Sequence, residues 1–305
     1  MTFIPCYIKL YETKELQERI ELLNQKLQEC TLCPRECKVN RTKGKQGFCK
    51  STNKLKISSA YPHFGEEPEL VGKGGSGTIF FTNCNLGCIF CQNYDISHLE
   101  NGEEITEEYL ANVLLSLQNS GCHNINLVTP THFIPQWVSA LPMAIEKGLN
   151  LPIVYNCGGY ENVETLKLLD GIVDIYMPDA KYADTEVSLK YSKAKDYPEI
   201  IKKVLLEMYR QVGDLQINDE GIATRGLLIR HLVLPYDLAG TKQIMKFIAN
   251  EISRDTYINI MAQYRPMYQA YDYPMLSRTI TSEEYRQAIN TVSYTHLTLP
   301  TTSRV

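Results

Sequence analysis

Three cysteines stand close together in the run TIFFTNCNLGCIFCQNYDIS, at Cys84, Cys88 and Cys91. Iron–sulfur clusters take thiolate ligands, and a cubane [4Fe–4S] cluster has four irons to ligate. Three thiolates at this spacing could hold three of the irons and leave the fourth open to a small molecule. The alternative is a zinc knuckle, which needs a fourth ligand, and His98 is the close candidate for one. The spacing therefore favours the cluster over zinc.

A second cysteine group precedes the first one. It consists of four residues, Cys30, Cys33, Cys37 and Cys49. Four thiolates at this spacing indicate a metal-binding knuckle, and Pro34 and Gly47 suit its tight turns. Zinc and a second iron–sulfur cluster both accept four thiolates, so both remain open. The separate thiols Cys122 and Cys157 are expected to be buried free cysteines.

Size and composition bound the class of protein. The chain has 305 residues, 44% of them hydrophobic, which suits one α/β barrel with a small appendage. A net charge of -4 offers no basic excess to neutralise phosphates, so we expect no nucleic-acid partner. The start, MTFIPCYIKLYETKEL, has no long apolar run, which predicts neither a signal peptide nor a membrane span. Ten cysteines, mostly in two tight groups, fit metal ligation in a reducing cytoplasm better than disulfides.

Segments of β and helical character alternate along most of the chain. Apolar β-type runs between amphipathic helices indicate right-handed βαβ units and a parallel sheet. Strands are predicted over residues 78–82, 124–128, 152–156, 172–177, 226–234 and 257–262. Helices are predicted over residues 12–29, 105–120, 134–147, 163–169, 188–211, 242–253 and 282–289. About six units fall short of the eight in a closed barrel, so the predicted fold class is α/β, an incomplete (βα)6 TIM-type barrel with a small N-terminal cysteine-rich segment.

The same pattern divides the chain into three regions. Residues 1–56 hold a helix and the four-cysteine segment, and residues 57–290 hold the partial barrel. Residues 291–305, TVSYTHLTLPTTSRV, follow no core-facing period, and we expect a poorly ordered tail that derives from a sequencing-adaptor read-through. Residues 57–77 are rich in Gly and Pro and are expected to lead flexibly into the first barrel strand. Their adjacent acids, Glu66 and Glu67, are expected to be solvated on an exposed turn.

Polar residues stand where the predicted strands run out. They are Thr129 and Thr131 after the second strand, Asn156 after the third, Asp179 and Lys181 after the fourth, and Arg230 within the fifth. Parallel α/β folds bind ligands at the carboxyl ends of their strands, so these positions together mark a site. Asp179 and Lys181 share a face because they are two residues apart at a strand end. Arg230 and His231 point to opposite faces, and we place Arg230 in the site.

The CxxxCxxC spacing, with Phe90 just before the last cysteine, resembles the signature of the radical S-adenosylmethionine (SAM) enzymes. The resemblance implies that a [4Fe–4S] cluster on Cys84, Cys88 and Cys91 binds SAM and cleaves it reductively to a 5′-deoxyadenosyl radical, which abstracts hydrogen from a substrate. It also implies the incomplete (βα)6 barrel. Within the superfamily, residues 30–290 resemble the pyruvate formate-lyase activating enzyme group, in particular uncharacterised relatives with an N-terminal cysteine cluster. Phe90 then falls beside the adenine of SAM, and Asp179, Lys181 and Arg230 fall on positions that contact SAM.

The sequence departs from that group after the second strand. A Gly-Gly-Glu that grips the SAM amino group is replaced by VTPTHF, so Thr129, Thr131 or backbone carbonyls would take its place. Asn156 adds an amide that suits the polar groups of SAM. The resemblance implies an electron donor such as flavodoxin or ferredoxin and, for an activase, a glycyl-radical enzyme as substrate. The alternatives are a radical SAM enzyme that modifies a small molecule or another protein, and a non-catalytic scaffold with zinc in both cysteine groups.

Overall fold

The computed structural model describes residues 3–295, which form eleven α-helices and nine strands. The strands are β1 (Leu55–His63), β2 (Ser76–Phe81), β3 (Glu103–Ile105), β4 (Ile125–Val128), β5 (Ile153–Cys157), β6 (Ile175–Pro178), β7 (Gln216–Ile217), β8 (Ala223–Leu232) and β9 (Tyr257–Met261). The helices are α1 (Cys6–Glu12), α2 (Glu15–Gln25), α3 (Pro68–Val71), α4 (Tyr94–Ser97), α5 (Glu107–Asn119), α6 (Ile134–Glu146), α7 (Val163–Leu166), α8 (Thr185–Ser192), α9 (Tyr197–Val212), α10 (Thr241–Glu251) and α11 (Ser282–Thr295). None of the helices within this range is long and apolar enough to cross a membrane.

Six parallel strands form the centre of the fold. Their order is β2-β4-β5-β6-β8-β9, and every neighbouring pair is parallel. β4, β5 and β6 are buried along their whole length, as expected for a sheet covered by crossover helices. No strand pair within residues 3–295 joins β9 to the other edge, so the sheet does not close. The predicted incomplete (βα)6 barrel is confirmed.

The antiparallel strands were missed by the sequence analysis. β1 pairs with β2, and β3 pairs in turn with β1, so both extend the sheet beyond the first parallel strand. The start of the segment expected to be a flexible lead-in, 57–77, therefore lies within a strand. Leu55 and Ile57 are buried while Lys56 and Ser58 are more exposed. This alternation is typical of a strand, but it is short and is followed by many Gly and Pro residues, which favoured the prediction of a loop.

Two long helices predicted from periodicity are each split into two. Residues 12–29 contain the end of α1 and all of α2, which are separated at Lys14 with a φ of 67°. Residues 188–211 contain parts of α8 and α9. α8 ends at Ser192 and is followed by Lys193 in the left-handed conformation, and Pro198 stands in the first turn of α9, where its missing N–H costs nothing.

The last helix is longer than predicted. α11 continues past Asn290 to Thr295, and Val292 is only 1% exposed. Val292 follows Ala288 by four residues and so lies on the same buried face of the helix. Residues 291–295 of the segment expected to be a poorly ordered tail thus belong to α11 in the structure. The rest of that tail, residues 296–305, lies outside the described residues.

Candidate active site

The loop after β2 carries the three predicted cluster cysteines. Cys88 is buried, and Cys84 and Cys91 are half-buried. Each sulfur has a polar neighbour: the Leu86 N–H donates to Cys84 Sγ at 3.3 Å, and the Ser192 hydroxyl donates to Cys88 Sγ at 2.9 Å. The Ser97 hydroxyl lies 3.2 Å from Cys91 Sγ. Donors placed at sulfur stabilise thiolate over thiol, which is the form that ligates iron.

Burial disfavours the thiolate form of these three cysteines when no metal is bound. Burial raises the pKa of all three, and for Cys88 the charge of Lys181 and the Ser192 hydroxyl act against that rise. A bound metal removes the cost, because it takes the thiolate directly. Within residues 3–295 no group of three or more Cys, His, Asp or Glu side chains already has the geometry that holds a metal ion. The sulfurs would therefore have to turn towards a bound metal.

Phe90 lies below this loop in the core. Its ring is 5% exposed and packs edge-on against Tyr264 at 5.8 Å and Tyr182 at 6.4 Å between centroids. The Tyr264 hydroxyl in turn donates to the Leu276 carbonyl. The Phe90 ring therefore supports the cysteine loop from the hydrophobic core.

A group of charged side chains meets at the carboxyl ends of β5, β6 and β8. Arg230 donates from Nε to Asp179 Oδ1 at 2.9 Å and from Nη2 to Asn156 Oδ1 at 2.8 Å. Lys181 Nζ donates to the other Asp179 oxygen at 2.7 Å. Arg230, Asp179 and Lys181 are 15–17% exposed. The structure thus brings together four of the residues that the sequence analysis selected, and we call them, with Glu66, the charge cluster.

Electrostatics fixes the ionisation of this cluster. Burial alone would raise the pKa of Asp179, but Arg230 and Lys181 outweigh it and hold that pKa below its usual range. Burial alone would lower the pKa of Lys181, but Asp179 outweighs it and the pKa is raised. Asp179 is therefore an anion held between two cations. The ion pair between Asp179 and Lys181 is thus largely buried.

Glu66 belongs to this site, although the sequence analysis expected it to be solvated. Its side chain is 10% exposed, and Oε2 accepts from Arg230 Nη1 at 3.2 Å. Burial raises its pKa to about 7, with Arg230 acting against the rise and the neighbouring acids adding to it. Glu67 is buried too, and it accepts from Asn259 at 2.7 Å. The expectation was wrong because the turn between β1 and α3 folds against β8 and β9, where Glu66 meets Arg230 and Glu67 meets Asn259, a long-range contact that no local pattern reports.

The two threonines after β4 differ in where they lie. Thr129 is half-buried with a φ of 59°, which is strained for a β-branched residue, and its N–H donates to the Asn156 carbonyl at 2.8 Å. It therefore stands beside the charge cluster. Thr131 is fully buried and donates to Glu161 Oε1 at 2.7 Å, so the structure does not place its hydroxyl in that cluster.

Glu161 is a buried acid that the sequence analysis did not single out. It accepts hydrogen bonds from the Thr131 and Tyr155 hydroxyls, and no salt bridge among residues 3–295 involves it. Burial raises its pKa to about 7, because these neutral partners compensate only part of the cost of the charge.

Replacing Glu161 by Gln should change how stability depends on pH. A carboxyl whose pKa is raised by folding stabilises the protein fully at a pH below its pKa in the unfolded chain, which is near 4. That contribution to the free energy of unfolding is lost as the pH rises to about 7. Relative to the wild type, Glu161→Gln should gain on the order of 3 kcal/mol in free energy of unfolding between about pH 4.5 and pH 7.5. Urea unfolding at both pH values measures it, with Glu164→Gln, which alters an exposed acid nearby, as control. An equal pH dependence in wild type and Glu161→Gln would contradict the assignment.

The four-cysteine segment packs against the same end of the barrel. Its cysteines line one small cavity together with Arg41 and His132. Arg35, between Cys33 and Cys37, donates to the carbonyls of Asn85, Ser192 and Lys193. The segment is thereby tied to the loop that carries the cluster cysteines.

Comparisons with known proteins bear on the family and the fold. The family model described as "Radical SAM superfamily" matches residues 78–218. A relative from Methanocaldococcus jannaschii, the "uncharacterized protein MJ0674", is 34% identical over 283 residues, which cover 90% of this chain and 77% of the relative. The solved structure of a radical SAM methyltransferase from Sphaerobacter thermophilus superposes with a TM-score of 0.51 at 12% identity, over 73% of this chain. The match spans 64% of the methyltransferase, and the likeness shows a shared fold.

Proposed function

Because the chain belongs to the radical SAM superfamily, whose members use a [4Fe–4S] cluster and SAM, we propose that Cys84, Cys88 and Cys91 are the ligands of that cluster. We further propose that the radical chemistry acts on a backbone glycine of a glycyl-radical enzyme. The cluster and SAM together supply a 5′-deoxyadenosyl radical for hydrogen abstraction. The protein's part is to hold these cofactors, to orient SAM and to exclude water.

The placement of the charge cluster carries the proposal. The cysteine loop and the charge cluster lie at the same ends of the parallel strands, and Lys181 is close enough to Cys88 to lower its pKa against burial. SAM offers a carboxylate, an ammonium group and a ribose diol. Lys181 and Arg230 suit the carboxylate, and Asn156 suits the diol as an amide donor and acceptor. Each cation is already held by Asp179, so little ordering is needed on binding.

Glu66 is our candidate for the SAM ammonium group. The chain lacks the Gly-Gly-Glu that the resemblance would put after β4, and Glu66 supplies a carboxylate at the charge cluster from a different part of the chain. Thr129, with its strained backbone, brings a hydroxyl and a carbonyl to the same strand end.

Glu66→Gln should raise the KM for SAM without loss of iron. A lost charge-assisted hydrogen bond is worth about 1.5 kcal/mol, which corresponds to a rise of about tenfold. The KM is measured from 5′-deoxyadenosine formation. The control is Glu69→Gln, since Glu69 lies in α3 and accepts from Tyr257 rather than Arg230. An unchanged KM in Glu66→Gln would exclude Glu66 from SAM binding.

The open sheet supports a macromolecular substrate. Within residues 3–295, β9 pairs with β8 and with no strand at the far edge. One side of the barrel is therefore open, and a loop of a partner protein could reach the strand ends through it.

A small donor such as flavodoxin or ferredoxin would supply the electron. We also place the protein in the cytoplasm, where thiolate ligands stay reduced. The second candidate, a small molecule or a different protein as substrate, is favoured by the replacement of Gly-Gly-Glu.

Anaerobic reconstitution with iron and sulfide, followed by dithionite and SAM, tests the cofactor chemistry. The proposal expects 5′-deoxyadenosine and methionine in equal amounts, and no product would contradict it. Co-expression with a glycyl-radical enzyme then tests the substrate. A glycyl radical in the electron paramagnetic resonance (EPR) spectrum of the partner supports the activase, whereas SAM cleavage that leaves every such partner unmodified supports the second candidate.

A further inference from the structure

One histidine of the barrel lies between the end of β2 and the four-cysteine segment. His132 is 1% exposed and lines the cavity that Cys30, Cys33, Cys37 and Cys49 share. One ring nitrogen, Nε2, lies 2.8 Å from the Thr82 carbonyl oxygen. The other, Nδ1, is fully buried and has no hydrogen-bond partner among the described residues.

These contacts settle which nitrogen carries the proton. A carbonyl oxygen only accepts, so Nε2 must be the N–H donor. In the neutral ring Nδ1 is then left with a lone pair. A buried lone pair that accepts no hydrogen bond lowers the stability of the fold, unless a ligand in the cavity binds to it. Histidines that bind metals show this arrangement, with one nitrogen on the metal and the other N–H on a backbone carbonyl or carboxylate.

We propose that a single zinc ion binds to His132 Nδ1 and three of the four cysteines Cys30, Cys33, Cys37 and Cys49, whose side chains line one cavity and would turn towards the ion. Three thiolates and one imidazole nitrogen complete the tetrahedral set that structural zinc takes. The ligands come from two parts of the chain, since the cysteines precede the barrel and His132 follows β4. The site is separate from the proposed cluster and does not rest on the proposed function.

The size of the cavity favours one ion over a second cluster. The cavity has a volume of about 10 Å³, which is room for about one water molecule. A cubane of four irons and four sulfides needs several times that space. An added Cβ at Gly47 would lie 2.6 Å from Cys37 Sγ, so the knuckle is tightly packed at this sulfur. Binding a zinc ion requires the sulfurs to turn inward, which shrinks the cavity, whereas a cubane would force it open.

Charge and hydrogen bonds also suit a thiolate site. Arg41 is 1% exposed in the same cavity wall, and its guanidinium donates to the carbonyls of His132 and Thr52. Three thiolates and a divalent ion carry a net charge of -1, which a guanidinium can offset. The Phe48 N–H donates to Cys37 Sγ at 3.3 Å, as backbone amides do at metal-bound thiolates. Arg41 therefore also fixes the backbone that presents His132.

Zinc at this place would join the N-terminal segment to the barrel. It would link the knuckle directly to the segment after β4, and Arg35 already links the knuckle to the carbonyls of Asn85 and Ser192. Asn85 follows Cys84, and the Ser192 hydroxyl donates to Cys88 Sγ. The ion would thus stiffen the scaffold around the cluster cysteines.

X-ray absorption at the zinc edge of the intact wild-type protein tests the site. We expect one zinc per chain with one nitrogen at about 2.0–2.1 Å and three sulfurs at about 2.3 Å. A shell of four sulfurs, or a chain without zinc, would overturn the inference. So would about eight irons per anaerobically prepared chain, which would mean a second cluster.

The zinc affinity of variants provides a second test of the site. His132→Ala should lose at least about tenfold in zinc affinity, measured by competition with a chromophoric chelator. The control is His123→Ala, because His123 accepts from the Gly74 N–H and lies outside the cavity. Retention of wild-type affinity in His132→Ala would also overturn the inference. Cys88→Ala should keep its zinc while losing iron, so failure at one site is not mistaken for failure at the other.

Discussion

Cys88→Ala is expected to abolish 5′-deoxyadenosine formation from SAM. With Cys88 removed, Cys84 and Cys91 leave two irons of the cubane without protein thiolates, and the open iron for SAM is no longer defined. Cys88 is also the buried member of the three, with its sulfur held by the Ser192 hydroxyl at 2.9 Å. Product is measured by liquid chromatography after anaerobic reduction with dithionite, and iron per chain is measured on the same sample.

Cys122→Ala is the matched control for this experiment. Cys122 is buried at 3% exposure but lies before β4, at the amino ends of the parallel strands. Its replacement should leave iron content and SAM cleavage near the wild-type values. If Cys88→Ala still formed 5′-deoxyadenosine at the rate of Cys122→Ala, the three-cysteine assignment would be wrong.

Asp179→Asn should cost about 3–5 kcal/mol in free energy of unfolding, the usual cost of breaking a buried ion pair from one side. Asp179 is the anion between Arg230 Nε at 2.9 Å and Lys181 Nζ at 2.7 Å, and all three side chains are mostly buried. In Asp179→Asn the negative charge is lost, so Lys181 has no carboxylate partner and the cations Lys181 and Arg230 face each other. The same change should weaken SAM binding, because the cations are no longer held in place.

The pH dependence of this loss follows from the pKa of Asp179. Because Arg230 and Lys181 hold that pKa below its usual value, the carboxylate adds stability above about pH 4 and loses it as the pH falls further. Urea unfolding should therefore show a difference between wild type and Asp179→Asn that narrows as the pH falls below about 4. The control is Glu104→Gln, which removes an exposed pair with Lys54 and should leave stability nearly unchanged. A small loss in Asp179→Asn would mean that the pair contributes little.

The parallel core was predictable because its signals are local. Each buried strand between amphipathic helices is visible as an apolar run, and all six parallel strands were found within a few residues. Strand ends converge in such a sheet, so Asn156, Asp179, Lys181 and Arg230 could be grouped before their contacts were known.

What the sequence did not reveal depends on long-range packing. Glu66 reaches Arg230 because β1 pairs antiparallel with β2, and neither residue's neighbours indicate that pairing. Thr131 and His132 follow β4 as Thr129 does, but the short helical turn over residues 131–133 aims them at Glu161 and at the four-cysteine cavity. Of the residues after β4, Thr129 therefore lies beside the charge cluster, whereas the Thr131 hydroxyl contacts Glu161 instead.

EPR spectroscopy of the reduced, oxygen-free protein, with and without SAM, tests the central claim most directly. If Cys84, Cys88 and Cys91 leave one iron of a cubane open to SAM, the wild type should show a reduced [4Fe–4S] signal whose g-values shift when SAM is added. Cys88→Ala should not show that SAM-dependent shift. A wild-type protein with zinc and no cubane signal, or a cubane signal that SAM leaves unchanged, would contradict the account.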